Sequence, residues 1–324
     1  MSTNSSSRNR LLREVLHNQF SDRVQFDEPL APYVAYRVGG PADFLVFPHT
    51  EKEIAWLCDF SRSHQLGLTV IGEGSNLLIS DEGIAGLTLI LQGSFQKITT
   101  IEHPNNGPVI IQCGGSVSKS KLLDWAALNG FAGLEFSAGI PGTVGGGIFM
   151  NAGTKYGTYS DVLHSVRIFN FDRGPSEYLK EECQFSYRGQ SIVKNGIVIW
   201  AKFSLQHGNS EQIRGEIKRV LDERAAKQPL DFPSCGSTFK NPPGFSAGRL
   251  IEKAGLKGLQ VGGAQVSEKH ANFILNKGNA TAKDIVTLIA MVREKVQRDC
   301  GILLECEVIL FGGRNAQGTI SDKA

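Results

Sequence analysis

The sequence predicts an α+β protein built from several compact units, and three observations support this prediction. An amphipathic helix between apolar strands, within residues 33–71, is typical of a small α/β unit. From about residue 91 to 207, short strands dominate and only one helix interrupts them. Two long helical patterns, at 210–226 and 281–300, then indicate a third unit.

The composition is that of an ordinary globular chain. Of 324 residues, 41% are hydrophobic and 20% charged, and a net charge of +2 favours neither a nucleic acid nor a membrane as partner. No apolar run reaches the roughly 18 residues of a transmembrane helix, and the polar start MSTNSSSRNR lacks the apolar core of a secretory signal. Six cysteines without a CxxC pair or a histidine cluster favour free thiols in the cytoplasm, and no metal site is expected.

The first part of the chain contains recognisable helix boundaries. Residues 1–28 are expected to hold a disordered tail and an amphipathic helix near Leu11–Phe20, and the first unit is expected to span 29–90. Its predicted elements are strand material at 33–48, a helix from a Thr50–Glu53 capping box to His64 with Gly67 at its C-cap, and a strand at Leu68–Ile71.

The next two units are expected at 91–207 and 208–312, followed by a disordered tail at 313–324. In the second unit the predicted elements are strands at Val109–Cys113, Val166–Phe171 and Ile197–Leu205 and a helix over Lys119–Leu128 between Ser118 and Gly130. In the third unit they are helices over Ser210–Ala226 and Thr281–Cys300, the latter with a Thr281–Asp284 capping box and Gly301 at its end, and a last strand over Ile302–Phe311.

Two glycine-rich segments indicate a phosphate-bearing ligand. GEGSN occupies residues 72–76 directly after a predicted strand, and GIPGTVGGGIFMNAG occupies 139–153. Glycine allows positive φ and close approach of the backbone to a ligand, and consecutive N–H groups form concavities that bind anions such as a diphosphate. Two such segments in one chain suggest a dinucleotide, although each could also be a set of tight turns.

The spacing of the glycines excludes two common nucleotide motifs. After Gly72 and Gly74 the third glycine of G-x-G-x-x-G is missing, and no G-x-x-x-x-G-K-[ST] is present. Elsewhere, Ser237 lies in a polar loop without a neighbouring histidine, so a hydrolase nucleophile has no local support. Glu305 and Glu307 would share one face of a strand, and Arg188 could clamp an anion. For the Ser237 loop, for the Glu305–Glu307 pair and for Arg188, the alternative is an ordinary solvated surface.

Seven segments together resemble the bacterial flavoenzyme family of UDP-N-acetylenolpyruvoylglucosamine reductases. They follow the family's order from about residue 30 to 312: YRVGGPA at 36–42, GEGSNLLISD at 72–81, GIPGTVGGGIFMNAG at 139–153, Tyr187-Arg188, SCGSTFKNP at 234–242, GLKGLQVGGAQVSEKHANFILN at 255–276, and ECEV at 305–308.

The resemblance implies a two-domain FAD-binding unit of the vanillyl-alcohol-oxidase-like (PCMH-type) class and a C-terminal α+β substrate-binding domain. It implies non-covalent FAD that NADPH reduces. Hydride then passes from flavin N5 to the enolpyruvyl ether of the UDP-sugar, which gives UDP-N-acetylmuramate for peptidoglycan synthesis. It also implies a cytoplasmic enzyme that is a monomer or a weak homo-oligomer.

By matching position, the resemblance implies that Ser237 donates the proton and that Arg188 and Glu307 stabilise the enol. It places the flavin diphosphate on the amides of residues 72–76 and the flavin along 142–146. The implied cofactor-binding residues are Tyr36, Arg37, Gly72, Glu73, Gly74, Ser75, Asn76, Leu77, Ala138, Gly139, Ile140, Pro141, Gly142, Thr143, Gly145, Gly146, Asn151 and Gly153. The implied substrate-binding residues are Tyr187, Lys227, Asn241, His270 and Asn272.

Three departures from the family's pattern matter. The serine that the family usually has two places after Tyr-Arg is displaced, since Gly189-Gln190-Ser191 follows here, and this leaves the role of that serine open. Cys306 stands where a proline usually precedes the last glutamate, for which we expect a local effect. The short segment from Arg188 to Ser237 resembles the subtype without an inserted tyrosine loop, so another residue must cover the nucleotide. The alternatives are a flavin oxidase of the same superfamily, disfavoured because 68–81 and 137–157 contain no histidine for covalent attachment, and a non-catalytic UDP-sugar-binding regulator.

Overall fold

The computed structural model describes residues 2–102, 107–193 and 196–312. Its α-helices are α1 (Ser2–Phe20), α2 (Glu51–His64), α3 (Lys119–Leu128), α4 (Val144–Phe149), α5 (Tyr159–Val162), α6 (Ser210–Lys227), α7 (Ala247–Lys253) and α8 (Ala282–Cys300). Its strands are β1 (Val24–Pro29), β2 (Pro41–Val46), β3 (Leu68–Val70), β4 (Leu77–Ile79), β5 (Ile84–Leu89), β6 (Ile98–Glu102), β7 (Val109–Gly114), β8 (Phe131–Ala132), β9 (Gly153–Thr154), β10 (Gly157–Thr158), β11 (Leu163–Asn170), β12 (Gly174–Leu179), β13 (Gly196–His207), β14 (Gln260–Val261), β15 (Ala264–Val266), β16 (Ile274–Asn276) and β17 (Ile309–Phe311).

The first unit is a mixed sheet in the order β1-β2-β5-β3. Strand β1 is antiparallel to β2, whereas β2, β5 and β3 run parallel, with α2 in the connection from β2 to β3. Thr50 caps α2 by accepting the N–H of Glu53, as predicted. The helix ends with Gln65 at φ 54°, so Gln65 rather than Gly67 adopts the left-handed conformation.

Two N-terminal expectations differ from the structure. Helix α1 begins at Ser2, inside the segment expected to be disordered, because no glycine or proline interrupts the helix before residue 20. Leu12 and Leu16 anchor it on the core under α2. Of the strand material expected at 33–48, only β2 is a strand, and residues 31–33 form a 3-10 turn.

The second unit is an antiparallel sheet in the order β12-β11-β13-β7-β6, with β8 paired to the end of β13. Helix α3 is capped by Ser118, as predicted, and packs Leu122 and Leu123 on this sheet. Helix α6 adds Val220 to the same core and contacts α3. Helix α6, which begins just after the expected boundary at residue 208, therefore shares the core of the second unit, and the expected domain bounds stay a prediction.

The third unit packs α7 and α8 against the small sheet β14-β15-β16. The capping box of α8 and its end at Gly301, with φ 70°, are as predicted. The predicted last strand is wrong in extent, since only β17 is a strand. Strand β17 pairs in parallel with β4, so residues 309–311 are hydrogen-bonded to the first unit. The expected tail at 313–324 lies outside the described residues.

No helix of the described residues is both long and apolar enough to cross a membrane.

Candidate active site between the glycine loops and the C-terminal unit

The first glycine loop, residues 72–76, joins β3 to β4. Gly74 has φ 59°, and a Cβ there would lie 2.5 Å from the carbonyl oxygen of Tyr33. Within the described part of the chain, none of the five backbone N–H groups of this loop donates a hydrogen bond to a protein acceptor. An open pocket of about 300 Å³ lies beside the loop and is lined by two of its residues, Gly72 and Glu73, together with Pro32, Tyr33, Val34, Ala35, Arg37 and Ile90.

Such a loop suits a diphosphate. Backbone N–H groups without a protein acceptor are donors that an anion can use, and leaving such donors buried without any partner would be unfavourable. The residues of this loop therefore fit the diphosphate of a dinucleotide such as FAD, as expected from the sequence.

The second glycine loop, residues 139–147, differs from this expectation, because most of its donors are already used. Its backbone N–H groups donate within the protein as follows: Ile140 to the Ser137 oxygen at 2.9 Å, Gly142 to Glu73 Oε2 at 2.9 Å, Val144 to the Val117 oxygen at 2.8 Å, Gly145 to the Gly115 oxygen at 2.8 Å, and Gly146 to Thr143 Oγ1 at 3.2 Å. A Cβ on Gly145 would lie 2.9 Å from the Gly115 oxygen. Most donors of this segment are consequently satisfied within the protein, so fewer of them are available to an anion than in the first loop.

The two loops touch each other. Besides the bond from Gly142 to Glu73, the hydroxyl of Ser75 donates to the Pro141 oxygen at 3.2 Å. A Cβ on Gly72 would lie 2.6 Å from Thr143 Oγ1. The first and second units therefore meet along these loops, and neither loop has room for larger side chains at this contact.

Arg188 and Glu307 form a half-buried ion pair. Arg188 Nε lies 2.7 Å from Glu307 Oε1, and the side chains are 20% and 15% exposed. Burial raises the pKa of Glu307 above its usual value, while the charges of Arg188 and Lys240 act in the opposite direction. Arg188 has φ 56° and its guanidinium lies 5.0 Å from the centre of the Tyr187 ring.

Ser237 is held beside this pair by backbone bonds of its neighbour Thr238. The Thr238 oxygen accepts the N–H of Glu307 at 2.8 Å, and its N–H donates to the Asn272 oxygen at 2.8 Å. Asn76 Nδ2 in turn donates to the Glu307 oxygen at 2.9 Å. The structure thus brings the Ser237 loop, the Glu307 segment and the first glycine loop together. Glu305, expected on the same face as Glu307, is 65% exposed and pairs with Lys240.

Several predicted ligand contacts instead hold the backbone in place. Asn151 Nδ2 donates to the Ser186 oxygen at 3.0 Å, and the Gly153 oxygen accepts from Arg188 Nη2 at 3.4 Å, so both position the Arg188 turn. Asn272 is 3% exposed. Its Oδ1 accepts from the Phe239 N–H and its Nδ2 donates to the Phe239 oxygen, which commits the side-chain amide to the Ser237 loop.

The other predicted substrate residues are less buried. Lys227 Nζ lies 2.7 Å from Glu223 Oε1, and Asn241 Oδ1 accepts the N–H of Ala247 at 3.0 Å. Tyr187 is 56% exposed. His270 is half-buried, which lowers its pKa, and its Nδ1 accepts the N–H of Asn272 at 3.3 Å.

The remaining predicted cofactor residues differ in exposure. Arg37 lines the pocket and donates to the Pro32 oxygen at 2.7 Å. Tyr36 is fully buried in the C-terminal core, and Ala138 is fully buried in the second unit. Leu77 pairs with Ile309 between β4 and β17. A role of Tyr36 or Ala138 towards a cofactor stays a prediction.

Sequence reasoning missed Lys119, which lies at the contact of the two loops and is 5% exposed. Its one signal in the sequence is a lysine in the first turn of a helix, where a cation opposes the helix dipole.

Comparison with known proteins shows the family to which this fold belongs. Residues 42–175 match the family described as FAD binding domain, and residues 228–311 match the family described as UDP-N-acetylenolpyruvoylglucosamine reductase, C-terminal domain. The UDP-N-acetylenolpyruvoylglucosamine reductase of Latilactobacillus sakei is 44% identical over 90% of this chain and 94% of its own. That of Clostridium tetani is 40% identical over 93% of this chain and 96% of its own.

A solved structure also has the same fold. The crystal structure of UDP-N-acetylenolpyruvylglucosamine reductase from Thermus caldophilus matches with a TM-score of 0.75 and 37% identity, over 89% of this chain and 98% of that one. The expected fold, an FAD-binding unit followed by a C-terminal α+β domain, is confirmed. The chain therefore belongs to the UDP-N-acetylenolpyruvoylglucosamine reductase family and is an FAD-containing oxidoreductase.

Proposed function

We propose that this enzyme reduces the enolpyruvyl ether of UDP-N-acetylglucosamine to UDP-N-acetylmuramate in peptidoglycan precursor synthesis, with NADPH as reductant. The observation that carries the proposal is the Arg188–Glu307 ion pair beside the Ser237 loop and the first glycine loop, in a chain of this family. FAD, when bound, supplies the hydride.

Arg188 is suited to the negative charge of this reaction. Adding hydride to the alkene leaves charge on the carboxylate side of the substrate as an enolate. A guanidinium is always charged and offers a planar fork of donors to a carboxylate. The oxygens of Glu307 and Gly153 accept hydrogen bonds from this fork and hold it in place, which supports a role of Arg188 in stabilising the enolate.

Glu307 needs to be protonated or fully paired at that moment, because a carboxylate would repel the enolate. Burial raises its pKa, which favours the protonated form. A protonated Glu307 can donate a hydrogen bond to the enolate oxygen. Arg188 and Glu307 would then act on the same group from two sides.

Ser237 is the proposed proton donor to the other alkene carbon. A serine hydroxyl is a weak acid, so position must supply most of the effect. The adjoining Thr238 is bonded on both sides, to Asn272 and to Glu307, and this keeps the Ser237 backbone in one place.

The diphosphate of the substrate is assigned to Lys227 and Asn241 by family position. Lys227 would exchange Glu223 for the phosphate, since its side chain is 66% exposed and its ion pair with Glu223 lies at the surface. The absence of a disulfide among the cysteines that the structure describes, together with a nucleotide-sugar substrate, supports a cytoplasmic reaction.

The test separates the two half-reactions. In Ser237→Ala, anaerobic NADPH should bleach the flavin band at the wild-type rate, while reoxidation by the enolpyruvyl UDP-sugar should slow by a factor of about 10³ or more. Ser234→Ala, in the same loop, is the control and should keep both rates. An equal loss of both half-reactions in Ser237→Ala would contradict the assigned role, and a wild-type band that NADPH cannot bleach would contradict the function.

A further inference from the structure

Lys119, the first residue of α3, is a buried lysine that the proposed reaction does not use. It is 5% exposed, and no hydrogen-bond acceptor or ion-pair partner of its Nζ is present among the described residues. The nearest aromatic ring is that of Tyr159, whose centre lies 6.0 Å away, at the limit of the cation–π range.

Neither the burial of Lys119 nor its place in the first turn of α3 stabilises the protein without a ligand. A buried ammonium without a partner is unfavourable. A cation in the first turn also opposes the helix dipole, which favours negative charge at that end. Burial lowers the pKa of Lys119 to about 8, because removing the ammonium from water disfavours its charged form.

Lys119 lies where the two glycine loops meet. Its N–H donates to the Gly142 oxygen at 2.9 Å. A Cβ on Gly142 would lie 3.4 Å from Lys119 Nζ and 2.4 Å from Ser75 Oγ. The charges that face it are Glu73, which favours its protonation, and Arg188 and Arg224, which oppose it.

Glu73 does not neutralise this lysine. Its carboxylate accepts the Gly142 N–H at 2.9 Å and is no ion-pair partner of Nζ within the described chain. Arg188 and Arg224 also disfavour the charged form of Lys119. An anion beside the Lys119 ammonium would therefore reduce the mutual repulsion of these three positive groups.

We propose that the Lys119 ammonium is the counter-charge for an anionic group of bound FAD. FAD offers two such groups, its diphosphate and the isoalloxazine ring in its reduced state. The inference rests on FAD binding, which the family shows, and is independent of the proposed sugar reaction, whose test is the Ser237 variant.

The experiment measures FAD binding to the apoenzyme of Lys119→Met. Its FAD Kd should rise at least tenfold. Lys121→Met, on the exposed face of the same helix, is the matched control and should keep the wild-type Kd. The apoprotein of Lys119→Met should be at least as stable to urea as the wild type, because an unpaired buried charge has been removed.

A second readout needs no variant. An anion beside Lys119 raises its pKa above the value of about 8 that it has without one. Near pH 8.5 the wild-type apoenzyme should therefore take up protons when it binds FAD, as measured by calorimetry in buffers of different ionisation enthalpy. Absence of this uptake would overturn the proposal even if Lys119→Met failed to fold.

The flavin midpoint potential identifies the anionic group. If the diphosphate is the partner, oxidised and reduced FAD lose affinity equally in Lys119→Met and the potential is unchanged. If the reduced ring is the partner, the potential falls by about 30 mV for each tenfold preferential loss of reduced FAD. An unchanged Kd for both redox states would show that Lys119 faces no anion of FAD.

Discussion

The two glycine loops look alike in sequence and differ in their hydrogen bonds. In the first loop, residues 72–76, no N–H group has a protein acceptor in the part of the chain that the structure describes. In the second loop, residues 139–147, the N–H groups of Gly142, Gly145 and Gly146 all donate within the protein. The first loop has donors available to a ligand, while the glycines of the second loop let two units approach.

The difference follows from what flanks each loop. The first loop joins β3 to β4, and its first two residues, Gly72 and Glu73, line an open pocket. The second loop runs against residues 115–118 and then enters α4, where Thr143 caps the helix by accepting from Gly146. The number of glycines therefore does not identify a phosphate site. What matters is whether the backbone N–H groups already have hydrogen-bond acceptors within the protein.

The largest difference between the two loops is expected in FAD affinity, from Gly74→Ala in the first loop. Its φ of 59° strains an alanine, and the new Cβ would lie 2.6 Å from Val34 Cα, a backbone atom that cannot rotate away. We expect the FAD Kd to rise about 100-fold, or roughly 3 kcal/mol.

Gly244→Ala is the matched control, because Gly244 has φ 76° with nothing within 4 Å of a Cβ. It carries the same backbone strain in the third unit without a collision, and it should keep the wild-type Kd. Fluorescence titration of both apoenzymes compares them. Wild-type affinity in Gly74→Ala would mean that the first loop does not hold FAD.

A smaller effect, and of another kind, is expected from Gly145→Ala in the second loop. A Cβ there would press on the Gly115 oxygen at 2.9 Å. We expect the free energy of unfolding of the apoprotein to fall by about 2 kcal/mol, as in other overpacked sites. Urea denaturation measures this. An unchanged midpoint together with a weaker FAD Kd would show instead that this position faces the ligand.

The smallest effect is expected from Gly146→Ala, the next residue along. The nearest atom to a Cβ there is Thr143 Oγ1 at 3.5 Å, an ordinary contact. Because Gly146 lies within α4, alanine should stabilise the apoprotein by about 0.5–1 kcal/mol. If the flavin lies along 142–146, as expected from the family, the FAD Kd should nevertheless rise about tenfold. A stabilised variant with unchanged FAD affinity would remove Gly146 from the cofactor contacts.

Local signals in the sequence predicted the helices well. Ser118, Thr50 and Thr281 each begin a helix by accepting an N–H from the first turn, and Gly301 ends the last helix in the left-handed conformation. These features depend on neighbouring residues only, so the chain order is enough to recognise them.

Strand extents and side-chain environments were less predictable. Alternation of apolar and polar side chains across 302–308 is typical of a strand. This segment nevertheless forms no regular ladder with the described residues and pairs through an isolated bridge between Phe239 and Cys306. Glu305 and Glu307 share the spacing expected of one face, but one is mostly exposed and the other is buried against Arg188. Pairing partners that are far away in the chain decide both features.

The sequence by itself determined the family and most of the helix caps, and it supplied the proposed roles of Arg188, Ser237 and Glu307, because these depend on residue types at set spacings. Only the tertiary structure decided which glycine loop keeps free donors, that Asn272 serves the backbone of Phe239, and that Lys119 is buried without a partner. The physical reason is that hydrogen-bond satisfaction and desolvation depend on groups brought together from distant parts of the chain.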